Sequence, residues 1–242
     1  MKSSLLIRNE NSIIPEIKPV RFGLKISEVI KVSFLSLFFI GLCGNALAAG
    51  NAAETLFIHA LRVFERSFAG DDSVTNVALN EFKILSMTYP NNPLFLAYQG
   101  ACYTLVGRDA WMPWNKTSYV KKGLDNIDKA LRMLKMEHDR GTMRSVPVSV
   151  ETRLVAASTF SEVPKSFNHF EKAKGVLKNI FQSIAFNKTP KPLQAQVYLQ
   201  AAKIARMENK RREEIKWLRQ ILDIEPQGES AKAARERLRE LN

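Results

Sequence analysis

The side chains able to do chemistry are few and scattered. The three histidines, His59, His138 and His169, stand far apart. A zinc site or an imidazole pair needs two such side chains one helical turn apart, or a spaced Cys/His motif. Glu137-His138-Asp139 has neither. Cys102 sits between Gly100 and Tyr103 on a helical pattern, where a thiol is expected to be buried and inert rather than nucleophilic. The sequence holds no Gly-x-Ser-x-Gly, no phosphate-cradling glycine loop and no dinucleotide fingerprint. A cell-wall lyase would need an acid positioned in a cleft, and no Glu stands in such a motif. The expectation is therefore no catalytic residue, no metal and no cofactor, in a protein that works by contact.

Residues suited to contact are easier to find. Asp109 to Tyr119 reads Asp-Ala-Trp-Met-Pro-Trp-Asn-Lys-Thr-Ser-Tyr and holds Trp111 and Trp114, two of the three tryptophans. In a loop such indoles either bind a partner or fold back over the edge of the domain, and the second reading is favoured because large aromatics are usually core. Lys203 and Arg206 could pair with a partner's carboxylate, or be ordinary solvated charges. Lysines 165, 172, 174, 178, 188 and 191 face a single acid, Glu171, within their stretch. Such a face suits anionic phospholipid or an acidic partner, or simply aids solubility. Asn115-Lys116-Thr117 matches a glycosylation sequon that the leader described next makes idle.

These residues are carried by a chain of 242 residues with 45% hydrophobic and 25% charged side chains and a net charge of +12. That composition excludes a disordered, collagen-like or disulfide-framed protein. The amino-terminal part reads as an address. Val32 to Cys43 is an uncharged apolar run, with Lys25 and Lys31 before it and Ala46-Leu47-Ala48-Ala49 after it. A basic lead, a short apolar core and small residues make a bacterial-type secretory signal, cleaved after Ala48 or Ala49; an uncleaved inner-membrane anchor is the rival. Lipidation at Cys43 is rejected because Leu42 stands where a small residue is needed. The lead Met1 to Ile30 is long for such a signal. The expected division is 1–49 as extension and signal, and 50–242 as one folded domain. That domain carries 30 Lys/Arg against 21 Asp/Glu, a net +9. Export to the periplasm removes nucleic acid as a partner.

The folded part is expected to be helical almost throughout. Phe57, Leu61, Phe64 and Phe68 form one stripe, Leu124, Ile127, Leu131 and Leu134 another, and Val176, Leu177, Ile180 and Ile184 a third. Ile215, Leu218, Ile221 and Leu222 follow near the end. Breaks fall at Ala69 to Asp72, Tyr89 to Pro93, Gly141, Pro147, Pro164, Pro190 to Pro192 and Pro226 to Gly228. Helix pairs at these intervals invite a test for repeats. Ala78, Phe82 and Pro90 stand at offsets of four and eight; Gly100, Tyr103 and Gly107 follow. A second match has Ala202, Leu218 and Pro226. Small residues let paired helices approach, the aromatics fill the wedge between pairs, and proline stops the second helix.

On those residues the chain resembles the tetratricopeptide-repeat family over roughly 55–242. The resemblance implies a right-handed α-solenoid of stacked antiparallel helix pairs, about three to four repeats plus a charged capping helix from Ser230 to Leu241. The segment Gly107 to Gly123 is longer than the repeat requires and is expected to be an inserted loop. The family binds its ligands on the concave face. Carried over residue by residue, that face is lined by Leu94, Ala97, Ala101 and Thr104, and in the last repeat by Gln196, Leu199, Lys203 and Arg206. The functional expectation is a non-enzymatic adaptor or scaffold that binds a protein or peptide in the bacterial cell envelope. The alternatives are a membrane-tethered accessory subunit of an envelope transporter and, behind it, a solenoid-type cell-wall enzyme.

Overall fold

The computed structural model describes residues 52–241, so the leader and its cleavage site lie outside the described residues. Within them the protein is all-α, 81% helical with eleven helices. In chain order these are α1 (Ala52–Phe68), α2 (Thr75–Thr88), α3 (Pro93–Asp109), α4 (Pro113–Arg132) and the single turn α5 (Glu137–Arg140). Then come β1 (Thr142–Met143), β2 (Val146–Pro147), α6 (Val148–Glu162), α7 (Phe170–Gln182), the single turn α8 (Ile184–Asn187), α9 (Lys191–Met207), α10 (Arg211–Ile224) and α11 (Glu229–Glu240). No helix among the described residues is long and apolar enough to cross a membrane.

Local chemistry sets the helix ends. Asn92 caps α3, its side chain accepting from the Leu94 amide at 3.0 Å, with Pro93 in the first turn. Proline also opens α4 at Pro113. Gly70, at φ 110°, turns the chain out of α1. Asn209, at φ 58°, does the same after α9, where the Lys210 amide donates to the Ala205 carbonyl at 2.8 Å.

Two kinds of helix result. α3, α6 and α9 are buried on nearly all sides: in α3 Leu94, Ala97, Gly100, Cys102, Tyr103 and Val106 are all interior, and they point around the whole helix. α4 and α7 are amphipathic and bury one stripe each, in α4 Val120, Gly123, Leu124, Ile127 and Ala130. α3 packs on α2, α4 and α6; α6 packs on α7; α9 packs on α10, which packs in turn on α11. The rings of Phe57, Phe64, Phe82, Phe95 and Tyr98 fill the first core, with the Phe82 and Tyr98 rings stacked at 4.9 Å. Phe181, Tyr198 and Trp217 stack in the second, Phe181 on Trp217 at 5.1 Å. α11 closes the last core with Ala231, Ala233 and Ala234 against Leu218 and Ile221.

The closest helix crossing is made by glycine. A Cβ on Gly100 would lie 2.6 Å from the Gly123 carbonyl, and one on Gly123 would lie 2.5 Å from the Gly100 carbonyl. Two turns on, a Cβ on Gly107 would meet Val120 at 2.8 Å. Backbone therefore lies against backbone between α3 and α4, and no other residue fits there.

One expectation needs correction. The segment Gly107 to Gly123 is not an inserted loop: α4 begins at Pro113, and the extra residues are added turns at its start. Between α4 and α9 the chain also carries α5 with the hairpin before α6, and α8 after α7.

Candidate functional site

Most of the residues expected to pack a repeat are interior. Ala78, Phe82, Tyr103, Ala202 and Leu218 are buried, as are Gly100 and Gly107. Pro90 and Pro226 lie outside the helices, each two residues beyond the end of one, α2 and α10.

The residues expected on an open concave face are not there to meet a partner. Leu94, Ala97 and Ala101 are fully interior, in a core that also takes Met143 from β1, and Thr104 is half-buried against Gly123. Gln196 and Leu199 are buried as well. Their helix is buried on the side that faces α6: the Gln200 amide donates to Ser161 Oγ at 2.9 Å, and Lys203 forms an ion pair with Glu162 at the end of α6. Burial, with Arg206 adding to it, pushes the Lys203 ammonium down to about 7; the Glu162 carboxylate beside it acts in the opposite sense. Arg206 is half-buried. The reason is legible in the cores: α3 and α9 have neighbours on each side where a simple row of helix pairs would leave one face bare.

The tryptophans correct the other expectation. Trp111 is 86% exposed and Trp114 66% exposed, so neither folds back over the domain edge. Pro113 starts α4 between them; Lys116 already lies against Gly107 of α3, but the first fully buried side chain of α4 is Val120. The side of the first turn of α4 that carries Trp114 faces away from α3. Of the lysine run, Lys172 pairs with Asp128 at 2.7 Å and Lys174 with Glu208 at 2.7 Å, which neutralises part of that face.

The histidines stay apart. His59 meets Glu81 at 3.1 Å, His138 Nδ1 accepts from the Lys135 amide at 2.9 Å, and the His169 ring lies 5.0 Å from that of Phe160. Among the described residues no group of His, Cys, Asp and Glu could hold a metal ion. Cys102 is buried, which pushes its thiol well above the usual range.

The strongest electrostatic feature was not visible in any motif. Between α1, α3, α6 and the hairpin lies an interior cluster of Glu65, Tyr98, Arg144 and Glu151. Arg144 donates from Nη2 to Glu151 Oε1 at 2.6 Å, and the Tyr98 hydroxyl donates to the same oxygen at 2.9 Å. The guanidinium carbon lies 5.0 Å from the centre of the Phe57 ring. Glu151 is 1% exposed and Glu65 7%. Arg144 and Ser145 form the two-residue turn between β1 and β2, both in the left-handed region at φ 55° and 63°. Asn-Gly is the favoured pair in such a turn, and a side chain there costs about 1–2 kcal/mol. The strain is offset by what the turn delivers, a guanidinium set against a buried carboxylate.

Burial pushes Glu65 up to about 7, with Arg144 pulling it down, Glu151 pushing it up and Arg62 pulling it down. Glu151 is also raised, by burial against the pull of Arg144 and Tyr98. Glu65 Oε1, Arg144 Nε and Glu151 Oε2 have no hydrogen-bond partner among the described residues. A carboxyl that titrates near neutrality beside a second carboxylate is a common acid–base arrangement. Here Tyr98 and Glu151 are enclosed, and the group ties four elements together. The sequence held one signal for it: an acid within the apolar faces Leu61-Phe64 and Val148-Val150.

No family model matches the chain, and no curated protein or solved structure matches it either.

Proposed function

We propose that the chain is an exported, non-enzymatic adaptor of the tetratricopeptide-repeat type, a right-handed solenoid of stacked antiparallel helix pairs that binds a protein partner in the cell envelope. The observation that carries this reading is a register. α2 spans Thr75–Thr88, and α10 spans Arg211–Ile224, the same bounds 136 residues further on; α3 begins at Pro93 and α11 at Glu229, again 136 apart. Three helix pairs fill that interval, α3 with α4, α6 with α7 and α9 with α10, about 45 residues each. Every pair is longer on average than the repeat's roughly 34 residues by the added turns of α4, by α5 and the hairpin, and by α8. Both second helices end in the same way. Tyr89 donates to the Leu85 carbonyl at 2.9 Å and Glu225 to that of Ile221 at 3.0 Å, each just before the proline. At the position of Ala78 the later repeat has Glu214, buried and paired with Arg237 at 2.7 Å. The Gly100–Gly123 crossing supplies the close helix pair that the repeat requires.

The burial of Leu94, Ala97, Ala101, Gln196 and Leu199 moves the partner surface to the outside. The outer face of α2 carries Val77, Ile84 and Met87, all exposed, at helical spacing. An apolar stripe of this kind is the ordinary seat of a protein partner. The internal lock at Arg144 keeps the helices rigid, so that this face is presented without ordering cost. The leader supports placement in the periplasm, and a retained leader would make the chain a tethered subunit instead.

Fractionation with amino-terminal sequencing, followed by affinity capture from envelope extracts, tests the reading. A soluble product starting near Ala49 and a reproducible co-purifying protein are expected. Capture of no specific protein under any condition would sink the adaptor reading; a membrane-bound product with an intact leader would replace the soluble form by the tethered one.

A further inference from the structure

The outer face of α4 carries a second surface of different chemistry. Opposite its buried stripe of Val120, Gly123, Leu124, Ile127 and Ala130, the helix presents Trp114, Ser118, Lys121, Lys122, Asp125, Lys129 and Arg132 to solvent. Four basic side chains stand there against one acid, Asp125. The two exposed indoles of Trp111 and Trp114 mark one end, and Met136, 77% exposed, lies beyond the other. Lys122 rests with its ammonium 4.4 Å from the centre of the Tyr103 ring, which holds it at the surface. The helix has 20 residues and so runs for about 30 Å.

From this stripe we infer that α4 docks the protein side-on onto an anionic phospholipid bilayer. Three observations select a bilayer. The face is straight and outward-facing, and a flat, deformable surface fits it, whereas peptide recognition uses a groove or a strand edge. Its charge is complementary to phosphate headgroups. Its apolar side chains are tryptophan and methionine at the ends of the stripe, and indole, apolar in its body with one polar N–H, partitions to the headgroup boundary. The apolar stripe of α4 stays in the protein core, so the contact is electrostatic, with the indoles as its one apolar anchor. The inference goes beyond the protein-binding reading and does not use the α2 face. A bilayer on α4 leaves Val77, Ile84 and Met87 free for the partner.

The three tryptophans give a direct test. In the full chain carrying Trp217→Phe, a conservative change in the stacked second core, Trp111 and Trp114 are the fluorophores that remain. This form is mixed with vesicles of phosphatidylcholine alone, or with phosphatidylglycerol added, each with and without brominated acyl chains. The expected result is a blue shift and bromine quenching on the anionic vesicles, with little on the neutral ones and loss at high salt. Lys121→Ala/Lys122→Ala should weaken the partitioning roughly 30-fold. Both changes are at exposed positions, so circular dichroism should be unaltered. Protein that sediments with vesicles while its tryptophan emission stays unquenched is held by the leader alone, and overturns the inference. Equal quenching on neutral and anionic vesicles overturns the charge complementarity. Indoles that stay wet on all vesicles but become shielded on adding the captured envelope protein would assign α4 to that protein instead. Failure here leaves partner capture through α2 untouched, so the two readings fall separately.

Discussion

Replacing Glu65 by Gln probes the buried cluster with a defined sign. Burial raises this carboxyl from 4.5 to about 7, so the folded protein holds its proton more tightly than the unfolded chain does. The group's contribution to stability is then fully present below pH 4.5 and is lost as the pH climbs through about 7. At about 1.4 kcal/mol per unit, the full loss is roughly 3 kcal/mol by pH 8. Glu65→Gln keeps the shape and removes the ionisation. Relative to the natural chain, the variant should gain stability steadily between pH 4.5 and pH 7 and level off above. The assay is urea unfolding followed by circular dichroism, run on both proteins from pH 4 to pH 8.5. Titrating groups outside the cluster cancel in the difference. In thermal terms a shift of this size corresponds to about 6–12 °C at pH 8 for a domain of this length. A difference between the two proteins that is flat with pH would refute the reasoning, for it would mean that Glu65 is solvated or paired in the folded state.

Arg144→Ala strands Glu151 without its counter-charge and should cost about 3–5 kcal/mol in the same unfolding assay. Ser145→Gly relieves a left-handed residue whose side chain contributes nothing to the cluster and should stabilise by about 1 kcal/mol. Gly100→Ala puts a methyl group against the Gly123 carbonyl and should lose about 1–3 kcal/mol. Gly175→Ala is its control: nothing lies within 4 Å of a Cβ there, and on a helix the change should gain up to about 1 kcal/mol.

The helices were legible in the sequence because each outer helix buries one stripe, and a stripe leaves a 3.6-residue signature, as Leu124, Ile127 and Ala130 do on α4. Pro90 and Pro226 marked true ends for the same reason: proline acts locally. The inner helices were misjudged in their exposure. Leu94, Ala97 and Ala101 lie on one face of α3, and their small apolar character fits an open groove as well as a closed core; only the neighbours decide, and those come from distant parts of the chain. Trp111 and Trp114 failed in the opposite direction, since composition favours burial of indoles and the added turns of α4 hold them clear. The Arg144–Glu151 lock depends on a hairpin turn with neither Asn nor Gly, so no turn signal announced it. The Glu65 carboxyl, far away in the chain, joins it only through the fold.

The face that meets the partner is either the outer side of α2 or the α9 side around Lys203 and Arg206. Capture yield from envelope extracts should be compared for Ile84→Ser/Met87→Ser and for Lys203→Ala/Arg206→Ala, with folding of both verified by circular dichroism. Outer-face recognition predicts that the α2 changes abolish capture while the α9 changes leave the yield of folded protein's partner unaltered. The reverse pattern, capture lost with the α9 changes and kept with the α2 changes, would contradict it.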